Sequence, residues 1–311
     1  MNILLTGGTG YLGGRIAYDL VQRGVSVRLA VRDVTKVPSA LKKCDIVVID
    51  FDDSVSFNAV CNDIDIVIHL AAMNASECQA QPEKALLVNG RGTARLLVAA
   101  NKSGVKQFIY FSTAHIYGAP LVGFVDENKV PEPNHPYAIT HLLAEYYVRE
   151  SSKKHNMEHV VLRLSNAVGA PLSEEANCWM LVANDFVKQA VQKRTIVTNS
   201  PGNIQRDFVA ITDVCRLISF LLERKGEAFQ LFNVGGGSMS LSELAKTVAI
   251  AVEKVAGFMP IIECFQGELG QDTALDFSFN KLQEAGFLLE NRMQNEIVEL
   301  AEQCRQWFAH A

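Results

Sequence analysis

Tyr137 and His141 lie four residues apart, so on a helix they share one face, a phenol beside an imidazole. A phenol with its ordinary pKa of about 10 serves as a base near neutrality only if a positive neighbour favours its ionised form. An imidazole is mostly neutral at pH 7, with an ordinary pKa of about 6.5, so His141 plays that part only when protonated. Thr113 closes an apolar run upstream, where a strand-end hydroxyl can meet the phenol in space. A second chemistry is written in Gly7-Gly8-Thr9-Gly10-Tyr11-Leu12-Gly13. Gly7, Gly10 and Gly13 permit a tight turn, close approach of backbone to a pyrophosphate and close helix–strand packing, while a helix opening there offers its N–H groups and dipole to phosphates.

These residues need strands and helices in a fixed order to hold them. Residues 2–6 read as a strand and 15–23 as a helix, so the glycine turn sits at the first strand–helix junction. Further strands are expected over 25–31, 45–49, 65–70, 107–111 and 160–164, with a long helix over 82–103 closed by Gly104 and another opening near Tyr137 behind Pro136. That alternation predicts an α/β chain with a Rossmann doubly wound parallel sheet, whose ligands lie at the carboxyl ends of the strands. Asp50 and Phe51, Leu70, Ala71 and Ala72, and Ser112 and Thr113 fall at such ends. The second strand ends at Val31 without the acid that grips a ribose; Arg32 follows, and a guanidinium suits a 2′-phosphate, which favours NADP over NAD, although Asp33 beside it could hold a ribose. Beyond residue 170 the alternation loosens into helices at 179–193, 212–224, 241–256 and 293–309 with strands at 195–198 and 229–234. The expected division is a dinucleotide-binding domain of residues 1–166 and 205–234 and a smaller C-terminal α/β substrate lobe of residues 167–204 and 235–311.

Composition narrows the partners. With 49% hydrophobic and 20% charged residues in 311, the chain is long enough for a substantial core. The net charge of −5 and the lack of a basic run argue against nucleic acid or an anionic membrane, and leave a small molecule. Seven scattered cysteines, Cys44, Cys61, Cys78, Cys178, Cys215, Cys264 and Cys304, make neither a disulfide framework nor a metal site and read as thiols in a reducing compartment. With no apolar run of membrane-helix length and no leader pattern at Met1, the expected location is cytoplasmic.

Thr6 to Gly13, His69-Leu70-Ala71-Ala72, Asn89, Phe111-Ser112-Thr113, Tyr117-Gly118, Pro136-Tyr137, Ala144-Glu145, Arg163 with Asn166, and Arg206-Asp207-Phe208 together resemble the extended short-chain dehydrogenase/reductases, and among them the NAD-dependent nucleotide-sugar epimerases and dehydratases, over about the first 240 residues. The family's Tyr-x-x-x-Lys pair carries His141 in the lysine's place. The resemblance implies a cofactor site of Gly7, Thr9, Gly10, Tyr11, Leu12, Gly13, Asp50, Phe51, Leu70, Ala71, Ala72, Asn89, Ser112, Tyr137 and His141, joined by Arg32. It implies Thr113, Tyr137 and His141 as the catalytic group, with Tyr137 the base and His141 doing part of the lysine's work. Asn74, Thr113, Asn166 and Arg206 would bind a nucleoside-diphosphate sugar, and helices near 93–104 and 137–152 would form a homodimer. Dehydratases carry an acid pair after Ser-Thr where Ala114 and His115 stand, so a 4-epimerase or 4-ketoreductase is favoured. The alternatives are a chain that binds cofactor and sugar nucleotide without turnover, and an NADP-dependent reductase of a non-nucleotide alcohol or ketone, which would have no need of a diphosphate clamp.

Overall fold

The structure is a computed structural model and describes residues 1–51, 54–265 and 274–308. Two compact units divide the chain. One comprises Met1–Ala119, Glu127–Leu164 and Ile218–Asn233, the other Pro120–Asp126, Ser165–Leu217 and Val234–Ala311.

The first unit is built on seven strands, β1 (Asn2–Thr6), β2 (Ser26–Val31), β3 (Asp45–Val48), β4 (Ile66–His69), β5 (Gln107–Thr113), β6 (Glu158–Leu164) and β7 (Phe229–Val234). They lie in the order β3-β2-β1-β4-β5-β6-β7, and the pairings among the first six are parallel. The Rossmann expectation is borne out, and the order reverses between β1 and β4, the place where such sheets bind ligands. Apolar runs make these strands because a parallel sheet is covered on both faces: every residue of β4 and β5 is buried. Leu4, Val67, Phe108 and Val161, one from each of four adjoining strands, meet Leu96, Ala100, Ala144 and Val148 of the covering helices in one core.

The expected helix over 82–103 is interrupted. A short helix, Pro82–Ala85, passes into a π-helical segment, Leu86–Arg91, before the α-helix Gly92–Lys102 resumes. Such segments recur at functional sites. Asn89 lies within this one, its side chain bonded to the loop after β4 and to the helix Pro136–Ser152.

The second unit has its own core, in which the helices Val182–Lys193, Leu241–Ala256 and Met293–Phe308 pack together around Phe186, Val248 and Leu300. Residue 309 of the expected last helix lies outside the described residues. Gln205–Ala210, expected in the first domain, pairs with Asn166–Val168 and Ser238–Ser240 in a three-stranded sheet of the second unit, because its hydrogen-bonding edges go to those strands and not to the large sheet. No helix among the described residues is long and apolar enough to cross a membrane.

Candidate active site

The glycine turn follows β1 directly. Gly7 has φ +79, and a Cβ there would stand 2.9 Å from the Ala71 backbone nitrogen; one on Gly13 would stand 2.2 Å from the Gly7 carbonyl oxygen. Both positions therefore demand glycine. Gly10 donates its N–H to the Gly7 carbonyl at 2.9 Å and begins the helix Tyr11–Gln22, whose N-terminus has neither a side-chain cap nor an acid in its first turn. Those N–H groups, with Thr9 and Leu12 half-buried beside them and Tyr11 buried, fit a dinucleotide's pyrophosphate.

A buried hydrogen-bonded chain ties this turn to β4. The Thr6 hydroxyl donates to His69 Nδ1 at 2.7 Å and accepts from the Ala71 N–H at 3.2 Å. His69 Nε2–H donates at 2.9 Å to Thr93, whose hydroxyl is itself given to the Asn89 carbonyl. The ring is neutral, since burial and repulsion from His141 lower its pKa to about 3. Motif spacing marked His69 only as part of a match; its role as a clamp between Thr6 and Thr93 shows in the structure alone.

Tyr137 is the second residue of the helix Pro136–Ser152, where His135 caps the start by accepting the Tyr137 N–H on Nδ1 at 3.1 Å. Pro136 occupies the first helical position, where its missing N–H leaves nothing unmatched. Thr113 stands beside the Tyr137 phenol and lowers its pKa, so these two expected partners meet. Burial nonetheless pushes the phenol up to about 12; Thr113 pulls it down, Cys78 pushes it up slightly, and no cation contributes.

His141 does not supply that cation. It is buried, with its ring 4.4 Å from the Tyr137 ring in an edge-on arrangement, and its Nδ1 is bound to the Tyr110 hydroxyl at 2.8 Å. Burial and the neighbouring His115 hold its pKa down to about 4, so it is neutral at physiological pH. An imidazole is too short to carry a charge past the phenol and too enclosed to keep one. Its Nε2 is buried with no protein partner. Tyr110, a strand residue whose pKa burial raises well above 10, keeps its proton; in the tautomer where that proton goes to Nδ1, the ring's own hydrogen stands on Nε2 as an unmatched donor.

Several expected ligand residues make hydrogen bonds or contacts within the protein. Ser112 gives its hydroxyl to Glu145. Asn89 accepts the Met73 N–H at 2.8 Å and donates to Thr140 at 3.0 Å, and Thr140 in turn donates to the Tyr137 carbonyl. Asn74 caps the helix Ala75–Ala80 in a reciprocal box with Glu77. Phe51 packs edge-on against Phe57 at 5.6 Å, and Asp50 beside it is exposed. Leu70 and Ala71 are half-buried and Ala72 is exposed at the carboxyl edge of β4. Arg32 is exposed beyond β2, whereas Asp33 has one carboxylate oxygen taken by the Thr35 N–H at 2.9 Å and the Thr35 hydroxyl at 2.6 Å.

In the second unit, Asn166 donates to the Asp207 carbonyl at 2.8 Å, which staples two paired strands. Burial pushes Asp207 up to about 6, against the pull of hydrogen bonds from the Gly237 and Gly236 N–H groups. Arg206 next to it is half-buried and has no carboxylate partner among the described residues; burial alone lowers its pKa. A guanidinium so placed fits an anionic ligand. No group of three His, Cys, Asp or Glu among the described residues could hold a metal ion.

Comparison with known proteins accords with this arrangement. The sequence model of the NAD dependent epimerase/dehydratase family matches residues 3–235. A dTDP-L-rhamnose 4-epimerase of Burkholderia thailandensis is 29% identical over 293 residues, covering 79% of this chain and 80% of that protein. A mouse dTDP-D-glucose 4,6-dehydratase is 27% identical over 257 residues, covering 78% and 71%. The crystal structure of a UDP-glucose 4-epimerase from Thermus thermophilus in complex with NAD superposes with a TM-score of 0.79 at 25% identity, covering 98% of this chain and 99% of that one.

Proposed function

Because the chain belongs to the NAD-dependent epimerase/dehydratase family, we propose that it is an epimerase or 4-ketoreductase acting at C4 of a nucleoside-diphosphate sugar, with Tyr137 as the acid–base group. The observation that carries this reading is the Thr113–Tyr137 pair at the carboxyl end of β5, in the same unit as the glycine turn. Gly7, Gly10 and Gly13 with the following helix N-terminus hold the pyrophosphate, and the unmatched Nε2–H of His141 is a neutral donor for a ribose hydroxyl. His141 so keeps the positioning half of the lysine's work and gives up the electrostatic half. The nicotinamide, when bound, accepts and returns a hydride. Tyr137 takes the C4 hydroxyl proton and gives it back, and Thr113 keeps the phenol oriented and lowers its pKa. Ala114 and His115, in the places where the related dehydratases carry acids, favour a reaction confined to C4.

Arg206 carries the substrate class. A nucleoside diphosphate at this guanidinium raises thermal stability by mass action, and free sugars do not. The melting temperature is expected to rise with UDP or dTDP in wild type and not in Arg206→Ala; no shift with any nucleoside diphosphate, alongside a shift with cofactor, sinks the sugar-nucleotide reading.

For the cofactor, the solved relative carries NAD, and the exposed Arg32 with Asp33 tied to Thr35 favours NADP. Calorimetric titration is expected to give tighter binding of NADP, lost in Arg32→Ala. Tighter NAD binding by wild type overturns this preference and leaves the rest intact. Exposed Leu86, Leu87, Val98, Ile139, Tyr146 and Tyr147 on the helices around the site support a homodimer, which a monomeric mass by light scattering would exclude.

A second reading rests on one observation. The phenol stands near 12 with no cation contributing, which is the condition of a protein that binds cofactor and sugar nucleotide without turning over. Appearance of reduced nicotinamide on mixing the NAD-loaded protein with UDP- and dTDP-sugars separates the two.

A further inference from the structure

We infer that Tyr110 is a positioning residue of this site: its hydroxyl fixes which nitrogen of His141 carries the hydrogen, so that His141 meets a bound cofactor as a donor and not as a base. The inference rests on the reading of His141 as a cofactor-binding group given above. Tyr110 is the central residue of β5 and is buried, 31 positions before His141 in the chain. Two imidazoles stand near its ring, His69 and His141, with centroids at 5.7 and 5.9 Å. Among the described residues its hydroxyl has one hydrogen-bond partner, His141 Nδ1 at 2.8 Å. His69 offers it none, because Thr6 occupies its Nδ1 and Thr93 its Nε2. The Glu145 carboxylate is taken by Ser112 and Arg163.

The two neutral tautomers of His141 are therefore unequal by count. With the hydrogen on Nε2, the bare Nδ1 accepts the Tyr110 hydrogen, and the only unmatched group is Nε2–H. With the hydrogen on Nδ1, that N–H donates to the Tyr110 oxygen; the Tyr110 hydrogen then has no acceptor, and the Nε2 lone pair is unmatched as well. One fewer unmatched buried group favours the first tautomer by roughly tenfold or more. Its consequence is chemical. The ring's one basic nitrogen is occupied by Tyr110, so none is left to take the Tyr137 proton, although the two rings stand 4.4 Å apart. What remains on offer is the hydrogen on Nε2, which suits an oxygen acceptor such as a ribose hydroxyl. A lysine here would donate whatever surrounded it, since an ammonium has no acceptor; an imidazole needs a partner to decide, and Tyr110 is that partner.

The test reads the tautomer directly, by nitrogen NMR of cofactor-free protein labelled with ¹⁵N-histidine, with His141→Ala identifying the His141 signals. In wild type the hydrogen is expected on Nε2; in Tyr110→Phe a form with the hydrogen on Nδ1 should become detectable. Calorimetric titration with NAD and NADP should show binding weakened about 3–10-fold by Tyr110→Phe, the range of one neutral hydrogen bond. Added to His141→Ala, the same substitution should change affinity by under about 2-fold, because the ring it acts through is gone. A wild type with the hydrogen on Nδ1, a tautomer that Tyr110→Phe leaves unchanged, or an equal loss of affinity with and without the His141 ring overturns the inference and leaves the acid–base reading of Tyr137 standing. A wild type that binds neither cofactor overturns the cofactor reading of His141 and this inference with it.

Discussion

Tyr137→Phe is expected to lower turnover by about 10²–10⁴-fold, or roughly 3–5 kcal/mol of transition-state stabilisation, and to leave the fold and cofactor affinity intact. The substitution removes one oxygen, beside Thr113, and keeps a ring that packs against the cluster of Met73, Cys78 and Ala85. Product analysis after fixed times with UDP- and dTDP-sugars measures it; turnover within a few-fold of wild type would show that the proton moves by another group. The pH dependence adds a sharper demand. Had His141 been the phenol's cation, activity would need one group protonated and the other not, and would follow a narrow bell. With His141 neutral above about 4 and Tyr137 near 12, only the phenol's loss of a proton favours reaction as pH rises through neutrality. Activity should therefore climb between about pH 6 and 9 without a falling limb due to His141.

The phenol's partner was legible in the sequence and its electrostatics were not. Thr113 and Tyr137 could be paired because each ends or begins an element whose apolar pattern and proline punctuation are local signals. The glycine turn was legible for the same reason, since the turn has no room for a Cβ at Gly13. Whether His141 is charged depends on how deeply the fold buries it and on His115 beside it, 26 positions away in the chain, neither of which a linear pattern states. Asn89, Ser112 and Asn74 look like ligand residues by motif, yet each has its polar atoms drawn to Thr140, Glu145 and Glu77 by packing that a linear pattern does not carry. The strand Gln205–Ala210 pairs with Asn166–Val168 and Ser238–Ser240, a choice its own pattern does not carry, because a strand's residues do not say which neighbour its backbone will meet. The π-helical turn at Leu86–Arg91 left no mark in the 3.6-residue periodicity either, since one widened turn shifts the register without breaking it.

Beneath the site, Glu145→Ala is expected to cost about 3–5 kcal/mol of stability, because it strands a buried guanidinium. Glu145 sits two turns after Tyr137 on the same helix, and Arg163 comes from β6; both are buried. Arg163 Nη2 donates to Glu145 Oε2 at 2.7 Å and its Nε reaches both carboxylate oxygens, at 3.1 and 3.2 Å. Burial drags the arginine's pKa down, and the Glu145 contacts more than reverse it. Nη1 goes on to the Tyr117 hydroxyl at 2.8 Å, Tyr117 donates to Asn233 at 2.7 Å, and Ser112 adds its hydroxyl to Glu145. β5, β6, the residue before the end of β7 and the helix Pro136–Ser152 are thus joined through one ion pair. Removing the carboxylate leaves the charge with no counterion and three strands with a loosened anchor to the helix that carries Tyr137. Replacing both partners together, Glu145→Met with Arg163→Met, removes the charge along with its need, so the double variant should be more stable than Glu145→Ala even though Tyr117 and Ser112 lose a bond each. Denaturant unfolding of the three proteins measures the order. A Glu145→Ala loss below about 1 kcal/mol, the range of an exposed pair, would mean that water reaches Arg163 and that the helix carrying Tyr137 is held by its apolar face alone.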